Sequence, residues 1–199
     1  LWPLTYPGAD ELCDGEDNDC YGFQGGSDAL AEPAAAGGFN PGGVQLLRGI
    51  KVVADETRPV TSWQMELDGP ALATVTFVVY EATSVDGPFG VLAAGDVSKA
   101  LVGPELMTSP SDTVLLTQGR YYIVGAWWAA DLGFAGVLPS VGAPMDLGFV
   151  TYLGSIGQSA TALPTTPIST ASTATGDVWV RLRSELPDED DTDGDEFLA

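Results

Sequence analysis

Apolar and polar side chains begin to alternate at Val44 and keep doing so, with interruptions, to Arg183. A two-residue period is the mark of a half-buried strand. Residues 61–67 show it most cleanly: Trp63, Met65 and Leu67 fall on one side, Ser62, Gln64 and Glu66 on the other. Residues 45–55 place Leu46, Arg48, Ile50 and Val52 on one face, with Leu47, Lys51 and Val53 on or near the other. Residues 73–81 form a run rich in β-branched and aromatic side chains, which suit a pleated surface. Further strands are predicted over 91–93, 113–117 and 120–128. The last, 177–183, sets Val178, Val180 and Leu182 against Trp179, Arg181 and Arg183. Asp68-Gly69-Pro70, Asp86-Gly87-Pro88 and Gln118-Gly119 supply turns between them. Strands at this spacing, with no sustained helical period, predict an all-β fold: an antiparallel β-sandwich or jelly roll.

The texture divides the chain into three. Residues 1–43 lack alternation, carry Gly-Gly pairs at 25–26, 37–38 and 42–43, and have Pro33 to limit any helical turn. They read as a loop-rich arm. Residues 44–184 are the sandwich and 185–199 an acidic tail, with a Ser/Thr-rich surface loop over 161–175. Charge follows the same division. Residues 1–47 hold eight acids and no base, and residues 184–199 hold eight more and no base. The net charge of −21 therefore belongs mainly to the two ends, and the remaining twelve acids share 48–183 with all seven bases. Such a chain repels polyanions, because phosphate binding needs clustered Lys and Arg; nucleic-acid partners are excluded. There is no histidine, which removes Ser-His-Asp and Cys-His catalysis and imidazole metal sites. Two cysteines cannot complete a four-ligand zinc site. No run of 18 apolar residues predicts membrane insertion. Few lysines and two closely spaced cysteines point to an oxidising, extracellular setting, and a chain that opens Leu1-Trp2-Pro3 reads as a processed, exported form.

Chemistry concentrates in Cys13-Asp14-Gly15-Glu16-Asp17-Asn18-Asp19-Cys20, which contains the only two cysteines. Oxygen-rich clusters around a turn-forming Gly suit Ca2+, a hard cation that takes six to eight oxygen ligands. A Cys13–Cys20 disulfide would close the loop and lower the entropy cost of gathering those oxygens. The segment resembles the short acidic metal-binding motif of secreted bacterial proteins of the MopE type, C-D-G-x-D-N-D-C-D-G. The match runs to Cys20, departs at Tyr21, where the family has an acid, and resumes at Gly22. On an EF-hand-like template Asp17 and Asp19 take the first and third ligand positions and Tyr21 the fifth. Phe23 supplies a carbonyl and Asp28 the closing carboxylate, with Asp14 or Glu11 in reserve. Losing a charged ligand at Tyr21 implies weak to moderate affinity. The alternative is a solvated acidic turn with no ion. In the tail, Glu189, Asp191, Asp193 and Asp195 surround the Gly194 turn and resemble half of a thrombospondin type-3 repeat. Phe197 stands where that repeat has a later Asp, so a solvated acidic tail is an equal reading.

A second resemblance covers roughly 44–183. TVTFVVYEATSVDGPFGVL followed by LTQGRYYIVGAWW looks like a β-sandwich of secreted bacterial surface proteins, with Leu147-Gly148-Phe149 in the place of its Phe-Gly-type turn. It implies extracellular placement, a structural, adhesive or sugar-binding role, and no catalytic residues. Tyr121-Tyr122 and Trp127-Trp128 must each split between the two faces of a strand, so one member of each pair is a candidate sugar platform. The expectation is therefore a secreted or cell-surface Ca2+-binding sandwich, structural or adhesive, and not an enzyme. Self-association into an extracellular filament, or contact with a surface polymer or glycan, is its expected partnership. A carbohydrate-binding module is the alternative.

Overall fold

Trp63, Met65 and Leu67 are indeed buried, while Ser62, Gln64 and Glu66 between them reach the surface. The same logic runs through most of the chain. The computed structural model describes residues 28–31, 36–69, 72–110, 113–137, 144–165 and 178–185. In chain order the strands are β1 (Asp28–Ala31), β2 (Ala36–Gly43), β3 (Leu46–Ala54), β4 (Arg58–Val60), β5 (Ser62–Asp68), β6 (Leu72–Ala82) and β7 (Gly90–Ala100). There follow β8 (Glu105–Thr108), β9 (Val114–Leu116), β10 (Tyr121–Trp128), β11 (Leu132–Val137), β12 (Met145–Asp146), β13 (Val150–Ser159) and β14 (Arg181–Glu185). The described residues form no helix, every strand pairing is antiparallel, and the fold is a β-sandwich.

The second sheet is simple, ordered β12-β13-β3-β10-β6-β7. The first is built around β5. Gln64 lies opposite both Arg181 and Thr108, and Leu67 opposite both Phe134 and Glu105. A residue has one neighbour on each side, so β14 and β11 follow one another along one edge of β5 and β8 takes the other. Outside them, β1 pairs with β14 and β2 with β11. The stretch expected to be a loop-rich arm thus contributes two strands, the rim of this sheet. Its Gly- and Ala-rich sequence shows no alternation; the neighbours' backbone hydrogen bonds make it a strand. Residues 91–93, expected to be a short strand, belong to the eleven-residue β7. Residues 177–183, also expected to be one strand, begin with an isolated bridge from Val178 to Gly136 and become β14 only at Arg181.

The main core lies between the sheets, where Trp63, Met65, Leu67 and Leu182 meet Ile50, Val52, Phe77, Val124 and Trp128. Trp63 packs edge-on against Phe77, centroids 6.3 Å apart, and its indole N–H donates to the Gly125 carbonyl at 3.1 Å. Gly125 lies opposite Gly49 in β3, and a Cβ there would run into the Arg48 carbonyl. Arg48 points inward with its guanidinium over Phe134, 5.4 Å from the ring centroid, and burial lowers its pKa. A smaller cluster covers the outer face of the second sheet: Leu47, Val78, Tyr80, Phe89, Ile123 and Ile156, with Tyr121, Trp127 and Leu163 against it. Leu47, on the face opposite Ile50, is buried for that reason.

Candidate functional site

The flank where the acidic ends join the sandwich is organised by β14. Leu182 and Ser184 are fully buried and Arg183 between them is exposed. Ser184 Oγ accepts a hydrogen bond from Arg58 Nε at 2.6 Å. Arg58 is only 7% exposed, and a buried cation is tolerated only with partners. It has three: Ser184, the Glu56 carboxylate at 2.8 Å, and the face of Phe149, 5.2 Å below the guanidinium. Its Nη2 is buried without a hydrogen-bond partner among the described residues. Arg58 thereby ties β4 to β14 in the first sheet and to the β12–β13 turn in the second.

Next to this anchor the register sets Ala29 opposite Ser184 and Asp28 opposite Glu185. Directly paired antiparallel residues stand about 4.5–5.5 Å apart between Cα atoms. Residues 1–27 therefore join the fold, and residues 186–199 leave it, at neighbouring positions on one sheet edge. Of the expected metal ligands, Asp28 alone falls among the described residues, as the first residue of β1. Asp14, Asp17, Asp19, Tyr21, Phe23, Glu189, Asp191, Asp193 and Asp195 lie outside them, as do Cys13 and Cys20. Among the described residues no three His, Cys, Asp or Glu side chains group closely enough to hold a metal ion.

The aromatic pairs of β10 split as strand geometry requires. Tyr122 and Trp128 enter the main core, and Tyr121 and Trp127 lie on the outer face of the second sheet. Along that face Trp127 is opposite Thr76, which is opposite Asp96, and Thr76 Oγ1 donates to Asp96 Oδ1 at 2.6 Å. Trp127 is not an open platform on its polar edge, because its indole N–H donates to the Ala160 carbonyl at 2.9 Å. Residues 160–164 fold over this face, where Tyr80 also donates its hydroxyl proton to Pro164 O.

Two features of the site were not readable beforehand. The Arg58–Ser184 contact joins residues 126 apart in sequence, and the approach of Asp28 to Glu185 depends on register between strands from opposite ends of the chain. The acid runs themselves are visible in sequence; that Asp28 stands opposite Glu185 has no local signal. Comparison with protein families, with curated proteins and with solved structures finds no match.

Proposed function

We propose that this chain is an exported, cell-surface β-sandwich that binds Ca2+ through its acidic ends and serves a structural or adhesive purpose, as a single module or as a subunit of an extracellular filament. The observation that supports it is the pairing of Asp28 with Glu185, which starts two acid-rich, base-free segments side by side. Like charges held near one another repel, and more so beside a low-dielectric protein surface than in water. A divalent cation offsets such repulsion, and its binding would stabilise the folded chain by mass action, about 2.7 kcal/mol at a hundred times Kd. The ligand set is Asp17 and Asp19 with Asp28, assisted by Asp14, Tyr21 and Phe23, and in the tail Glu189, Asp191, Asp193 and Asp195. All-oxygen donors select Ca2+ over copper, which prefers imidazole or thiolate.

Calorimetric titration of the full chain with Ca2+ tests this. The double variant Asp17→Ala, Asp19→Ala should lose one site while keeping its fold. Unchanged stoichiometry would reduce the segment between the cysteines to a solvated turn.

A further inference from the structure

Among the described residues Trp127 is the one tryptophan that is not buried; Trp63, Trp128 and Trp179 are 4% exposed or less. It stands on the outer face of the second sheet and packs against the smaller apolar cluster there. Its indole N–H is held by the Ala160 carbonyl at 2.9 Å. That bond fixes the ring in one orientation, so the exposed part of it loses little freedom when a ligand settles on it. On one side of Trp127 the face is covered. The chain runs from Ala160 beside Trp127 to Pro164, whose carbonyl accepts the Tyr80 hydroxyl proton. Here Val78, Tyr80 and Ile123 are buried, and Leu163 packs against their cluster.

On the other side the face is open and polar. Thr76, directly opposite Trp127, is half-buried, and Thr74, Asp96 and Ser98 are exposed. Register places Asp96 opposite Thr76 and Ser98 opposite Thr74, all on the face that carries Trp127. Side-chain bonds hold both pairs: Thr76 Oγ1 donates to Asp96 Oδ1 at 2.6 Å, and the Thr74 and Ser98 hydroxyls are 2.7 Å apart. Asp96 Oδ2 accepts no hydrogen bond among the described residues. Trp127 and Asp96 are two strand spacings apart, about 10 Å, and Thr74 and Ser98 lie two residues along their strands, about 7 Å away. Those dimensions match one or two linked sugar rings.

A pyranose ring carries C–H bonds on one face and hydroxyls round its rim. The C–H face suits the negative face of an indole. A carboxylate takes hydroxyl protons in charge-assisted bonds, and Thr and Ser hydroxyls donate or accept as the sugar requires. Charge narrows the class. Asp96 is the one charged member of this group, in a chain of net charge −21, so a uronate or sialate is repelled and a neutral sugar is not. We propose that this face binds a neutral glycan, with a sugar ring stacked on Trp127 and its hydroxyls bonded to Asp96 and to the Thr74–Ser98 pair. The proposal does not rest on the calcium reading.

An array of neutral, uronate-bearing and sialylated oligosaccharides, probed with the full chain, selects the ligand. Calorimetry and tryptophan fluorescence with the best-retained oligosaccharide then measure its affinity. Retention of neutral oligosaccharides is expected, equally with and without a chelator, together with a change in tryptophan emission on binding. Trp127→Ala should abolish binding. Asp96→Ala and Ser98→Ala alter only exposed side chains, keep the fold whatever Trp127→Ala does to it, and should together weaken binding about tenfold or more. Retention of no oligosaccharide overturns the proposal. So does a preference for the acidic glycans, a loss of binding in chelator, or neutral-sugar binding that is indifferent to the Asp96→Ala, Ser98→Ala pair.

Discussion

Tyr80 and Tyr122 show how a buried side chain couples stability to pH. Tyr80 is fully buried in the outer cluster and donates its hydroxyl proton to Pro164 O at 2.9 Å. Tyr122 is fully buried in the main core, donates to the Glu81 carboxylate at 3.1 Å and accepts the Thr117 N–H at 2.8 Å. Burial raises the pKa of both above the ordinary value of 10.0. In the unfolded chain both titrate near 10. With folded values raised, their contribution is intact below about pH 10 and is lost as pH rises through the folded values. The thermal midpoint should therefore fall as pH rises above 10. Tyr80→Phe should flatten that alkaline fall at a cost of about 1 kcal/mol at neutral pH for the lost hydrogen bond. An alkaline limb identical to wild type would show that another group governs it. The inward facing of Tyr122 was within reach of sequence parity, since it shares a face with Trp128. The burial of Tyr80 was not, because its cover comes from Phe89 and from residues 160–164, whose position no local pattern encodes.

Strands were legible where one face is buried and the other wet, as in β5, and where β-branched residues run together, as in β6. They were not legible in β2, β11 and β13, which are rich in Gly, Ala and small polar residues. β13 also carries a register slip between Tyr152 and Gly154, and Gly154 sits at φ 131°, so its alternation is broken. Close backbone approach sets its own demand on β3 and β10. Because a Cβ on Gly125 meets the Arg48 carbonyl and the Gly49 backbone, none of which is the far end of a flexible side chain, the strands themselves must shift. Gly125→Ala should cost about 3 kcal/mol, read as a lower urea midpoint at unchanged slope. Gly90→Ala, where nothing lies within 4 Å of the new Cβ, should change stability by less than ~0.5 kcal/mol.

For the whole molecule the consequential strands are the two at the rim. Removing residues 28–43 strips β1 from β14 and β2 from β11, and takes away the Gly43 carbonyl that accepts the Trp128 indole N–H at 3.1 Å. It leaves open edges that invite association. A fragment spanning 28–185 should unfold cooperatively, and one spanning 44–185 should melt more than ~5 °C lower, equivalent to ~2 kcal/mol at this size. Equal midpoints in calorimetry would mean that the rim adds nothing and that the sandwich begins at Val44. The same topology brings Asp28 and Glu185 together at the β1 edge of the first sheet.

Sequence by itself determined the fold class, the five patterned stretches at 45–55, 61–67, 73–81, 113–117 and 120–128, the segregation of charge into the two ends, and the chemistry an all-oxygen, histidine-free set can support. Each depends on residue identity or on spacing within a few positions, where side-chain geometry and solvation act directly. Tertiary structure decided which face of each strand is covered twice, that residues 28–43 are rim strands, that Arg58 finds Ser184, and that Asp28 meets Glu185. Those outcomes rest on register between strands far apart in the chain. Register is set by how two whole sheets pack their inward side chains together, and no local stretch contains that information.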